Sequence, residues 1–208
     1  QRPSFNPLIS HVASIEAAFA LGRATPAAKR LAAAFWPGPM TLILERRTGC
    51  PIAGLTSAGL DRIALRVPAN VAARKLLRSF GGPVAAPSAN LSGRISPTRA
   101  EHVLEGLAGR IDIVLDGGRC ESGVESTVVD CSRGAARIVR PGGVTRDDIQ
   151  TAIVGSGFQF YEDPTPDESE RPVGPGMLAS HYAPAAGVAT NVAKPPDGME
   201  FIGFGPID

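Results

Sequence analysis

Apolar positions along this chain alternate between strand-like and helix-like spacing. Met40 to Leu44 and Ile63-Ala64-Leu65-Arg66-Val67 read as strands, the second stopped by Pro68. Val84-Ala85-Ala86 reads as a central strand that ends at Pro87. Further strands are expected at Ile111–Leu115, Thr127–Asp130 and Arg137–Arg140, with a short one running up to Ile9 and closed by His11. Helical spacing covers a segment capped by Ser14 and running to Gly22, then Ala27–Phe35, with Leu31, Ala34 and Phe35 on one side. It returns over Val71–Phe80, with Leu76, Leu77 and Phe80 inward, and over Arg99–Leu107, where Thr98 and Glu101 fit a capping box. Thr145 and Asp148 open a last helix in the same way. Strands joined sometimes by helices and sometimes by tight turns predict an α/β fold, a mixed sheet with helices packed against it.

After Gly155 the pattern breaks. Residues 162–175 carry five acidic side chains and four prolines, the composition of a linker. Gly174 to Pro184 departs from that composition with Met177, His181 and Tyr182. The expected organisation is a catalytic domain over 1–155, a linker over 156–190 acting as a lid through His181 and Tyr182, and the start of another domain over 191–208. The chain opens Gln1-Arg2-Pro3 without an initiator Met and stops just after Phe201-Ile202-Gly203-Phe204. Both ends read as cut from something longer.

Composition narrows the function. A net charge of +1 argues against a dedicated nucleic-acid binder, and 5% aromatic residues leave few platforms for stacking bases. No apolar run reaches the roughly 18 residues that a membrane span needs. Three cysteines without CxxC spacing fit neither a disulfide framework nor a zinc site, and a reducing, cytoplasmic compartment is the expectation.

The chain has no P-loop signature, no GxSxG elbow and no HExxH helix. Its informative chemistry is arginine at strand ends. Arg2 precedes Pro3, Arg66 precedes Val67-Pro68, and Arg140 precedes Pro141-Gly142. Guanidinium forks at the rim of a sheet suit a phosphate or carboxylate. Ser88 and Asn90, one residue apart after the apolar run, are expected to reach one point from an extended segment. Ser126 repeats the Ser88 arrangement after Glu125, a residue readable as a metal ligand or as a turn cap.

In order, the chain carries Arg2-Pro3-x-x-Asn6-Pro7-Leu8, Trp36-Pro37-Gly38-Pro39-x-Thr41-Leu42, Arg66-Val67-Pro68, Pro87-Ser88-Ala89-Asn90-x-Ser92-Gly93, Glu125-Ser126-Thr127-Val128-Val129-Asp130 and Arg140-Pro141-Gly142. This ordered set resembles the YrdC/Sua5 family, the threonylcarbamoyl-AMP synthases. His181-Tyr182-Ala183-Pro184 is similar to the linker of the two-domain Sua5 type. The resemblance implies a twisted mixed sheet with flanking helices around a positively charged concave cleft. It implies synthesis of L-threonylcarbamoyladenylate from L-threonine, bicarbonate and ATP with Mg²⁺. The product would pass to a tRNA threonylcarbamoyl transferase for t6A modification at position 37 of tRNA. It implies ATP contacts from Arg2, Asn6, Arg62, Ser88, Asn90, Ser96 and Arg140. Threonine contacts would come from His11, Arg66, Ala86 and Ser126. Arg62 stands where related sequences often have threonine, and the family's motif lysine would precede Gln1. The alternatives are a tRNA-binding module and a carbamoyl-transfer domain of hydrogenase-maturation type.

Overall fold

The computed structural model describes residues 6–133 and 135–154 and the backbone of 160–161. In chain order the elements are β1 (Ile9–His11), α1 (Ile15–Leu21), β2 (Gly22–Arg23), α2 (Pro26–Phe35) and β3 (Met40–Arg46). A 3₁₀ turn at Gly54–Ser57 leads to β4 (Arg62–Arg66), α3 (Val71–Phe80) and β5 (Val84–Ala85). Then follow α4 (Ala100–Leu107), β6 (Thr127–Asp130), β7 (Ala136–Arg140), α5 (Arg146–Ile153) and β8 (Phe160–Tyr161). One sheet runs β5-β1-β4-β3-β6-β7-β8, with β2 added to β3. It is mixed: β1–β4, β3–β6 and β7–β8 are parallel, and the other pairs are antiparallel.

Helix starts follow their local chemistry. Ser14 Oγ accepts from Ala17 N at 3.2 Å, and Thr25 Oγ1 accepts from Ala28 N at 3.2 Å ahead of Pro26. Thr145 and Asp148 form the full capping box of α5. The box expected at Thr98 and Glu101 does not form. Arg99 is the N-cap of α4 without a side-chain bond, and Thr98 Oγ1 instead lies 3.5 Å from His102 Nδ1. The helix begins one residue too late for Thr98 to reach its third amide.

Alternation along the strands sorts the sheet into two faces. Met40, Leu42 and Leu44 of β3, Ile63 and Leu65 of β4 and Val129 of β6 pack with Ala27, Ala28, Leu31 and Ala32 of α2 and Ile149 and Ile153 of α5. The opposite face has a small apolar cluster of Ile9, Ile43, Ala64 and Val128. By the same alternation it carries His11 beside Ile9, Thr41 beside Ile43, and Arg62 and Arg66 on either side of Ala64.

Four expectations need correction. Val84-Ala85 is an edge strand, not a central one; among the described residues it pairs only with β1. Pro83 and Pro87 bracket it and remove two of the donors that a central strand requires. No strand forms over Ile111–Leu115, where Ile113 is 85% exposed. In α2, Ala34 faces solvent, and the buried stripe is Ala27, Ala28, Leu31 and Ala32. In α3 only Leu77 is buried, while Leu76 and Phe80 are exposed. Of the expected linker at 156–190, Phe160–Tyr161 adds to β7 as β8; the remainder, with His181 and Tyr182, and the segment 191–208 lie outside the described residues.

Two substitutions test this partition. Leu42→Ala should cost about 2–5 kcal/mol of unfolding free energy in denaturant titrations, whereas Ile113→Ser should stay within roughly 0.5 kcal/mol of the parent. Equal effects would contradict the burial described.

Candidate functional site

One end of the sheet collects the polar side chains. β4 ends at Arg66, whose Nε donates to the Gly38 carbonyl at 3.0 Å. The Trp36–Pro39 turn is fixed there in turn. Trp36 Nε1 donates to Met40 O at 2.7 Å, Gly38 N to Val67 O at 2.9 Å, and Thr127 N to Pro39 O at 2.9 Å. The segment Glu125–Thr127 therefore enters β6 against the same turn that holds Arg66.

Arg140, at the end of β7, reaches back to this segment. Its Nη2 donates to the Ser126 carbonyl at 2.7 Å and to Ser126 Oγ at 3.0 Å, and its Nε lies 3.2 Å from the same carbonyl. Ser126 Oγ also shares a 2.8 Å bond with Thr41 Oγ1. Glycine makes the approach feasible. A Cβ on Gly142 would enter the backbone of Glu125, 2.5 Å from Thr127 N and 2.6 Å from Ser126 C. Gly143 N closes the contact by donating to Glu125 O at 2.9 Å.

Glu125 links this end of the sheet to the loop before α4. Its Oε1 accepts from Ser96 Oγ at 2.5 Å, and its Oε2 lies 3.9 Å from Arg140 Nη2. Burial weakens the hold of Arg66 on its proton, Glu125 strengthens it and the like charge of Arg140 weakens it. Arg66 still remains a guanidinium at any physiological pH.

His11 neighbours Arg66 across the parallel β1–β4 pair. Burial, and then the Arg66 charge, push its pKa down to about 4, so the imidazole is neutral at pH 7. Its Nδ1 is buried without a hydrogen-bond partner, and so are Asn6 Oδ1 and Asn90 Oδ1.

The structure brings together His11, Arg66, Ser96, Ser126 and Arg140 from the residues marked in the sequence. Ala86 is adjacent to β1, donating its amide to Ile9 O at 3.0 Å. Ser88 and Asn90 do not share one extended segment, because the strand ends at Ala85 and the chain bends at Asn90. The Asn90 amide serves its own loop, donating to Leu91 O at 2.9 Å and Arg94 O at 2.7 Å. Arg62 starts β4, four residues before Arg66, and its Nη1 pairs with Asp130 Oδ2 at 3.1 Å. Arg2 lies outside the described residues. Thr41 and Gly142 stand among the motif positions quoted from the sequence, but without a site role assigned to either. Glu125 carries a chemical signal, but only its distances to Ser96 and Arg140 tie it to the site.

Residues 1–142 match the Sua5/YciO/YrdC family, described as Telomere recombination. Among curated relatives, Threonylcarbamoyl-AMP synthase of Bacillus subtilis (strain 168) is 44% identical over 195 residues, covering 93% of this chain and 55% of the relative. The protein of the same name from Pyrococcus abyssi (strain GE5 / Orsay) is 41% identical, over 90% of this chain and 54% of the relative. The crystal structure of P. abyssi Sua5 complexed with L-threonine superposes with a TM-score of 0.79 at 41% identity, covering 89% of this chain and 54% of that one. The chain thus spans about half the length of the curated relatives it matches.

The His11 environment has a consequence for stability. Its pKa in the fold, about 4, lies below the ordinary 6.5, so the unfolded chain binds the extra proton between those values. Stability from this group is complete above pH 6.5 and is lost as pH falls toward 4. Between pH 7 and pH 5 the loss should be about 2 kcal/mol. His11→Gln should remove that share of the slope in denaturant titrations at the two pH values. An unchanged slope would place His11 in contact with water.

Proposed function

Because the chain belongs to the Sua5/YciO/YrdC family, we propose that it forms L-threonylcarbamoyladenylate from L-threonine, bicarbonate and ATP, releasing pyrophosphate. The observation that carries this reading is the convergence of the motif residues Arg66, Glu125-Ser126 and Arg140 on one sheet end, beside His11. Relatives named for this activity and a threonine-bound relative support it.

The reaction joins anions. The threonine amine attacks the carbon of bicarbonate, a water leaves and a carbamate forms. A carbamate oxygen then attacks the α-phosphorus of ATP. The bond to the bridging oxygen breaks, and pyrophosphate departs with the electron pair. Bringing these groups together needs orientation and charge compensation more than a covalent nucleophile.

In this reading Arg140 meets nucleotide phosphate with Ser88, Asn90 and Ser96 around it. Arg66, Ser126 and the Ala86 backbone hold threonine. Neutral His11 and Asn6 offer buried acceptor atoms to N–H or O–H groups of the substrates. Arg62 would have to give up Asp130 to reach a phosphate. Among the described residues no three acidic, cysteine or histidine side chains converge as a metal site. Mg²⁺ would come with ATP as part of the substrate. The product would serve a tRNA threonylcarbamoyl transferase acting at position 37.

The test is ATP–pyrophosphate exchange by the full-length protein, which should require L-threonine and bicarbonate. Exchange that is indifferent to threonine, or absent from folded protein, would overturn the assignment. Arg140→Ala should weaken ATP binding by about 1.5–3 kcal/mol in calorimetry, the range of a hydrogen bond to a charged group.

A further inference from the structure

We infer that Glu125 is a positioning residue whose carboxylate opposes Arg66 and Arg140 and thereby limits how tightly the site retains pyrophosphate. The inference rests on the proposed function, which makes pyrophosphate the leaving product.

Geometry gives Glu125 two different attachments. One oxygen is fixed by Ser96 Oγ at 2.5 Å; the other stands 3.9 Å from Arg140 Nη2, too far for a hydrogen bond. The pairing with Arg140 is therefore one of charge, through a carboxylate whose side chain is 30% exposed. Arg140 is oriented independently of it, by the carbonyl and hydroxyl of Ser126. A ligand phosphate can take up the positive charge without displacing either arginine.

Glu125 is tethered when that happens. Its backbone is held by Gly143 N and faces Gly142 with no space for another atom. Its side chain is tied to Ser96. The carboxylate thus stays close to the arginines in the loaded site and repels a polyanion there. Without it, two mutually repelling guanidinium groups would share a poorly solvated corner of the sheet and hold a polyanion more strongly. Threonine and its carbamate carry less charge than ATP or pyrophosphate, so the same carboxylate penalises the two polyphosphates most.

Full-length Glu125→Gln, which keeps the length and the acceptor for Ser96, should bind inorganic pyrophosphate about fivefold more tightly or better in calorimetry without added metal. The gap from wild type should narrow as salt is raised. Glu125→Ala should tighten binding in the same direction, giving a second uncharged variant should the first not fold. Glu125→Asp keeps the charge while withdrawing from Ser96, and should stay within about twofold of wild type. Equal or weaker pyrophosphate binding by the uncharged variants overturns the inference, as does equal tightening by Asp. Wild-type protein that binds neither ATP nor pyrophosphate overturns the proposed function together with it. Wild-type binding without the Gln effect leaves the function standing and removes only Glu125.

Discussion

A guanidinium buried to 8% exposure sets the terms for this end of the fold. Taking such a group out of water costs several kcal/mol unless hydrogen bonds and a countercharge replace the solvent. Arg140 obtains them from Ser126, and from Glu125 at longer range. For the carbonyl of Ser126 to be reached, the chain after Arg140 must press on the chain before β6, and only glycine at 142 permits that. For Ser126 Oγ to be held, Thr41 must stand opposite it, which fixes how β3 enters the sheet. The register Thr41↔Val128 and the bulge between Val128 and Val129 are the backbone side of the same arrangement.

Strand alternation then divides the work. Leu42 and Leu65 face the helices while their neighbours Thr41 and Arg66 face the other way, so every core residue placed on one side commits a residue on the other. A slip of one residue in β4 would put Arg66 into the core and Leu65 into the site. The hydrophobic core on α2 and α5 therefore enforces the position of the polar groups on the opposite face. Arg62 and Asp130 satisfy each other toward the start of β4, which leaves the charge cluster around Arg66 and Arg140 compositionally separate.

The sequence makes these elements legible where a period and a stop signal coincide. β3, β4, β6 and β7 have runs of apolar side chains ended by Pro, Asp or a turn, and α1 and α5 have capping residues that bond as expected. Legibility fails where the apolar pattern lacks a partner. Ile111, Ile113 and Leu115 alternate as a strand does, yet no sheet edge is offered to them among the described residues. Leu76 and Phe80 sit four apart on α3 and remain exposed for the same reason. Pattern reports what a segment can bury, not what it meets. Site residues were readable through chemistry at strand ends, as with Arg66, Ser126 and Arg140. Thr41 and Gly142 are legible only as motif positions, because one is an ordinary strand residue and the other a packing requirement.

The polar atoms left over carry the last step. Four buried side-chain nitrogen or oxygen atoms among the described residues have no hydrogen-bond partner. One is Arg74 Nε on α3; the others belong to Asn6, His11 and Asn90, three residues to which the family resemblance assigns ligand contacts. A buried acceptor without a partner costs about 1–3 kcal/mol, a cost that a ligand donor would offset, and of the three residues His11 stands beside the arginines of the sheet end. The arginines there supply donors, while Asn6, Asn90 and the neutral imidazole of His11 supply acceptors. A plain anion would satisfy only the first set. A ligand with anionic groups and N–H or O–H groups satisfies both, and an amino acid bound beside a nucleotide has that composition.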